Sequence, residues 1–248
     1  MDPRITRTDL KTSLSAVMDL VLPRVCIVCG RELIPQERHI CLECLADLPE
    51  THFATLSRNP MSDRFNAMIA SDTFEPYAYA TALFHYSSDA GYRKISQALK
   101  YRRDFSAGRH FAGMLGRSLR ESHLFADVDL VIPVPLHWSR QLSRGYNQAA
   151  VIADVVSREL GCRCEPRLLR RNRRTRTQTR VKVEDKAGNV TGAFSINANT
   201  LPKARHVLLL DDVFTTGATL SACYKALRVA YDPSVRISVA TLAVVGCR

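Results

Sequence analysis

Three short apolar runs constrain this chain more than any other feature. They are residues 128–135 (VDLVIPVP), 204–210 (ARHVLLL) and 236–245 (RISVATLAVV). A strand with one wet face alternates apolar and polar side chains. These runs are apolar nearly throughout, the pattern of strands buried on both faces. Helical spacing follows two of them, at 145–160 (GYNQAAVIADVVSREL), with Gly161 placed as a C-terminal stop, and at 219–230 (TLSACYKALRVA). Strands and helices in alternation predict an α/β fold, a mostly parallel sheet with helices on both faces. Upstream, 77–86 reads as a strand, 91–104 and 109–123 as helices, and 188–196 as a turn and a short strand. Residues 53–75 are weakly patterned and read as a linker or poorly defined subdomain. Residues 9–22 carry Leu10, Leu14, Val17, Val21 and Leu22 at helical spacing ahead of Pro23, an amphipathic helix.

Two C-x-x-C pairs, Cys26/Cys29 and Cys41/Cys44, stand eleven residues apart. Each pair turns the chain so that two thiolates face one point, and two such knuckles supply a closed tetrahedral set for Zn²⁺. Gly30 follows the first pair where a knuckle turn favours positive φ. Disulfides conflict with a reducing compartment, and a redox C-x-x-C normally occurs once, near a βαβ unit. An iron–sulfur cluster is the alternative metal group. His39 and His52 lie near, but four thiolates already complete the site. A site with no open position, in a segment too small for its own core, reads as structural.

The chain has no secretory pattern and no apolar run of the roughly 20 residues that a membrane span needs. A cytoplasmic location is expected. The formal net charge of +11, from 35 Lys and Arg against 24 Asp and Glu, favours phosphorylated or polyanionic partners.

The stretch HVLLLDDVFTTGATL, 206–220, sets two carboxylates at the end of a buried strand and follows them with a threonine-rich loop. A loop that leads into a helix N-terminus offers unpaired N–H groups to an anion. Thr215, Thr216, Gly217, Ala218 and Thr219 would supply backbone N–H groups and hydroxyls. Gly217 lets the backbone approach a phosphate. It is not a Walker A loop, for no lysine precedes the last threonine. Asp211 and Asp212 beside a phosphate make sense for a ligand that also carries vicinal hydroxyls or a divalent cation. A sugar phosphate with free hydroxyls meets both conditions.

The residues VLLLDDVFTTGAT closely resemble the signature that binds phosphoribosyl pyrophosphate in type I phosphoribosyltransferases. Phe214 stands where most members have an aliphatic residue. With DLVIPVPLHWSRQLSRGYNQA, RRTRTQTR, NVTGAF and the cysteine pairs, the resemblance extends over nearly all of residues 20–245 and is to the ComF family. These bacterial competence-related proteins combine a zinc-ribbon-like N-terminus with a phosphoribosyltransferase domain. The resemblance implies a helix and zinc module at 1–60 and a phosphoribosyltransferase-like domain at 61–248, with 61–127 as hood and 128–248 as core. It implies that the 134–138 loop, with Val134 and Pro135, holds pyrophosphate, helped by Arg144 and by Arg176 in the basic stretch 167–182. Asn147 and Gln148 are further candidates for hydrogen bonds to a ligand. Asp211 and Asp212 would hold ribose and Mg²⁺, and 215–219 the 5′-phosphate. Two functions follow. One is an enzyme that transfers phosphoribosyl to an acceptor with release of pyrophosphate. The other is a non-catalytic protein of DNA uptake or recombination that keeps the pocket as a sensor or relic. Single-stranded DNA and DNA-uptake proteins are the expected partners.

Overall fold

A computed structural model describes residues 23–70, 76–86, 91–98, 105–136, 145–171, 193–196 and 201–247. The helix expected at 9–22 lies outside them. The chain divides between Leu48 and Pro49 into two compact units.

The first unit is the cysteine module. An antiparallel bridge joins Val25 to Glu32, and the short helix α1 (Leu42–Ala46) begins directly after Cys41. The break at Leu48/Pro49 differs from the boundary expected at residue 60. Residues 49–51 belong with the sheet of the second unit, where the amide of Thr51 donates to Leu83 O at 3.1 Å and that of His85 to Pro49 O at 2.8 Å.

The second unit is built on one sheet. Its five strands run in the order β1 (Ala80–His85), β7 (Arg236–Val244), β6 (His206–Phe214), β2 (Leu130–Pro133), β3 (Arg163–Cys164), all parallel. A small antiparallel pair joins β4 (Leu169–Arg171) to β5 (Phe194–Ile196). The apolar runs are therefore the buried centre that their composition predicts. Leu130, Val207 and Ile237 lie in register across three strands, as do Ile132, Leu209 and Val239. Val207 and Leu209 join a core with Met61, Phe65, Leu220 and Tyr224. Leu208 and Leu210, equally buried, project by pleat alternation to the other face.

Helices α4 (Phe105–Glu121) and α5 (Gln148–Leu160) pack together, with α5 on β2 and β6. Helices α2 (Pro60–Ile69) and α6 (Ala218–Ala230) pack together and share the core of the other face. The short helix α3 (Arg93–Gln97) abuts α4. Gly161 caps α5 at φ +67°, as its position predicted.

One sequence expectation differs from this arrangement. Residues 53–75 are not a linker: Met61, Phe65 and Ile69 of α2 lie in the core. Residues 61–127, expected as a hood, supply the edge strand β1 and the layer helix α4. Both depend on partners distant in sequence, which local periodicity does not reveal.

Candidate functional site

Strand order fixes where a site can form. From β2 the chain crosses through α5 to β3 on one side, and from β6 it crosses through α6 to β7 on the other. The loops at the carboxyl ends of β2 and β6 therefore part in opposite directions. Open α/β sheets bind ligands in the crevice at such a point. The pairing of β2 with β6 ends at Pro133 and Leu210, whereas β6 continues beside β7 to Phe214. Asp211 and Asp212 thus occupy the part of β6 that β2 has left, in a strand rather than after one.

Both carboxylates are partly exposed. The amide of Asp212 donates to Asp211 Oδ1 at 2.8 Å. Successive strand residues face opposite ways, so the pair does not present one doubly charged surface. Asp211 lines a shallow cavity of about 30 Å³ with Phe214, Thr215, Thr216, Gly217 and Thr219. Its negative charge adds to burial in pushing the thiol of Cys223, on α6 beneath, well above the ordinary range. Asp212 is not among the residues of that cavity.

Gly217 shapes the loop. Its φ is +80°, and a Cβ there would lie 2.8 Å from Phe214 Cζ and 2.9 Å from Met68 Sδ. It precedes α6 without a side-chain cap. The nearest substitute is Thr216 Oγ1, 3.4 Å from the amide of Ala218. The first turn of α6 thus presents backbone donors and a dipole to whatever occupies the cavity.

On the β2 side, the amide of Val134 donates to Leu210 O at 2.8 Å, and Val134 O accepts from Asn147 Nδ2 at 2.9 Å. Asn147 Oδ1 also caps α5 through the amide of Ala149. Its amide therefore ties Val134 to the start of α5, and the Gln148 side chain is buried. Pro135 and Leu136 are half-buried. Arg144 and Arg176, like most of 167–182, lie outside the described residues. Arg171, at the start of that stretch, lies over the Phe194 ring at 5.4 Å.

A larger concavity of about 540 Å³ opens at the opposite ends of the strands, lined by Asp127, Asp129, Cys162, Arg163 and Arg205 among others. Its charges serve one another and the fold. Arg205 pairs with Asp129, Arg163 with Glu165, and Asp127 with Arg236, while Asp127 also hydrogen-bonds His206. Size does not make it the better candidate, because the unspent backbone donors are at the other end of the sheet.

In the first unit the sulfurs of Cys26, Cys29, Cys41 and Cys44 all lie within 4.8 Å of one another. Cys29 Sγ and Cys41 Sγ are 3.8 Å apart. A tetrahedron of zinc–sulfur bonds has edges of about 3.8 Å, so the set fits zinc, and His39 and His52 are not part of it. Backbone amides point at the sulfurs, Cys41 N–H to Cys26 Sγ at 3.4 Å and Cys44 N–H to Cys41 Sγ at 3.5 Å. Burial pushes the Cys26 thiol up, but backbone donors at Cys29, Cys41 and Val28 outweigh it and bring the group to about 6. Burial and the other thiols push Cys44 well up. Glu37, which the sequence reading did not single out, joins the two knuckles. Its carboxylate accepts from the amides of Leu42 at 2.8 Å and Ile34 at 3.0 Å, which hold it below the usual carboxylate range. It is one of two acids between the C-x-x-C pairs, with Glu32, and nothing in the sequence distinguishes it.

The chain is 36% identical over 139 residues to Competence protein F of Haemophilus influenzae, a match covering 54% of this chain and 60% of that protein. It is 36% identical over 94 residues to DNA utilization protein YhgH of Escherichia coli, covering 38% and 40%. It is 27% identical over 137 residues to Competence protein ComFC of Streptococcus pneumoniae, covering 55% and 57%. These similarities support the resemblance to the ComF family. The chain spans 60% or less of the length of these relatives. No family model matches it. Among the described residues, no helix is long and apolar enough to cross a membrane.

Proposed function

We propose that this protein binds phosphoribosyl pyrophosphate with Mg²⁺ at the carboxyl ends of β2 and β6, in the service of competence and DNA uptake. The observation that carries the reading is one cavity that joins the Asp211 carboxylate to the 215–219 loop at an uncapped helix N-terminus. The loop would take the 5′-phosphate on backbone N–H groups and threonine hydroxyls. Asp211 and Asp212, one on each face of the strand end, would accept from the ribose hydroxyls and hold waters of Mg²⁺, a cation that takes carboxylate, phosphate and water oxygens. The 134–136 segment, with Val134 and Pro135, is the side left for pyrophosphate. The names of the relatives, competence and DNA utilization, support the biological setting.

The finer reading is transfer of phosphoribosyl to a nucleophile with loss of pyrophosphate, in which positioning and charge stabilisation do the work. The net charge of +11 favours a second reading, a binding protein that acts on DNA. The four-cysteine site would hold zinc in a structural role.

Titration calorimetry with phosphoribosyl pyrophosphate and Mg²⁺ tests the shared claim. Saturable binding that Asp212→Asn weakens about tenfold is expected, and no binding by the intact protein rejects the site. Pyrophosphate release with candidate acceptors then separates the readings. Turnover abolished in Asp212→Asn supports transfer. Binding without turnover, beside salt-sensitive binding to single-stranded DNA, supports the second.

A further inference from the structure

The 215–219 loop contains no cation, and an arginine beside Phe214, which precedes it, comes from a distant part of the chain. Arg64 of α2 has its guanidinium 5.7 Å from the centre of the Phe214 ring, and Nη1 donates to Val245 O at 3.5 Å. Phe214 is the last residue of β6 and is fully buried. The edge of the same ring and Sδ of Met68, one turn beyond Arg64 on α2, both fill the space that a Cβ on Gly217 would need. Ser221 Oγ, in the first turn of α6, donates to Met68 O at 3.4 Å. Residues i and i+4 of a helix share a face. The Arg64/Met68 face of α2 therefore lies along the loop and the N-terminus of α6.

The charge of Arg64 is not spent on a carboxylate among the described residues, and the residue is exposed. Asp63, its neighbour on α2, is taken by Arg58 and the Tyr77 hydroxyl. A guanidinium on a ring face keeps its in-plane N–H groups free for an oxyanion fork. An aliphatic residue at 214 would offer no such platform, so the aromatic departure from the family pattern acquires a use.

We propose that Arg64 binds the phosphate held by the 215–219 loop, as the positive partner that the loop itself lacks, and that Phe214 positions it. The ligand class is a pentose 5-phosphate. This rests on the phosphoribosyl reading of the site, and the test separates the two. The intact protein, Arg64→Gln and Arg64→Lys are titrated with phosphoribosyl pyrophosphate, ribose 5-phosphate and inorganic pyrophosphate, each with Mg²⁺, at low and high salt.

Arg64→Gln is expected to weaken ribose 5-phosphate and phosphoribosyl pyrophosphate about tenfold, to leave pyrophosphate unchanged, and to flatten the salt dependence of ribose 5-phosphate binding. Arg64→Lys, which keeps charge without the planar fork, is expected to fall between. If Arg64→Gln does not fold, Arg64→Lys carries the test by the same selective loss. Equal affinity of variant and intact protein for ribose 5-phosphate overturns the role of Arg64 and leaves the site standing. Equal loss for pyrophosphate overturns its assignment to the phosphate end. Failure of the intact protein to bind either phosphoribosyl ligand overturns both.

Discussion

Gly217 shows how narrowly a single position can be specified. Its backbone is in the left-handed region, and the space a Cβ would need is filled by Phe214 and Met68. Gly217→Ala meets both penalties. It should cost about 1–3 kcal/mol of stability, measured by urea unfolding, and should weaken phosphoribosyl pyrophosphate binding more than Thr216→Ala, which removes a hydroxyl with its 3.4 Å contact and a methyl but leaves the backbone free of strain. A Gly217→Ala protein with unchanged unfolding and unchanged affinity would show that the loop has another conformation available. Glu37 makes the same point in the cysteine module. Its carboxylate takes the amides of Ile34 and Leu42, so Glu37→Gln should loosen the spacing between the knuckles and raise the zinc dissociation constant about 10- to 100-fold, as loss of a supporting partner does elsewhere. Competition with a chromogenic chelator measures this.

At the scale of elements, α2 depends on its first turn. Asn59 Oδ1 accepts from the amide of Ser62, and Ser62 Oγ accepts in return from the amide of Asn59, both at 2.9 Å. Pro60 occupies the first helical position, where its missing N–H costs nothing. Asn59 Nδ2 also donates to Ala80 O in β1 at 2.9 Å, so one buried side chain both starts the helix and ties it to the sheet edge. Asn59→Ala should destabilise by about 2–3 kcal/mol, the loss of a cap plus a buried carbonyl left without its donor, seen as a lower urea midpoint with an unchanged slope. Because α2 carries Arg64 and Met68, the same variant should also weaken ligand binding. The cysteine module has a different support. Its apolar core is small and its four sulfurs converge, so a strong chelator should abolish hydrogen-exchange protection across 26–45 while the amides of β6 and β7 stay protected. Retained protection in the module would reject a structural metal.

For the whole molecule, the two ends of the sheet are built for opposite purposes. At the carboxyl end backbone donors remain unspent. At the amino end polar groups are locked into a network around His206. Its Nδ1 is 2.8 Å from Asp127 Oδ1 and its Nε2 2.8 Å from Ser238 Oγ, which links β6 to β7 and to the segment ahead of β2. Asp127 also pairs with Arg236, and Asp129 accepts from the amides of Arg205 and His206. The Ser, His and Asp contacts resemble a hydrolytic triad, but Ser238 and His206 are buried. Burial lowers the His206 pKa from 6.5 to about 4 against the raising effect of Asp129. The unfolded chain therefore binds more protons between those values, and stability falls as pH drops from 6.5 towards 4. About 2 kcal/mol should be lost between pH 7 and pH 5, and His206→Gln should remove that slope while lowering stability at pH 7. Urea unfolding of both proteins across this range measures the difference.

The sequence by itself determined the features whose physics is local. The buried strands, the helices after them, the stop at Gly161, the two knuckles and the threonine loop are each written in fewer than about 20 consecutive residues, where periodicity, φ requirements and ligand spacing operate. It also placed Asp211 beside the loop, because the two adjoin in the chain. Only the tertiary structure decided that β1 flanks β7, that residues 60–69 form a core helix, that Asn147 ties Val134 to the start of α5, and that the face of α2 bearing Arg64 lies against Phe214. Those pairings join residues up to about 180 positions apart, as Arg64 and Val245 are. Nothing in a local window encodes them. They follow from which apolar faces bury one another once the sheet has assembled.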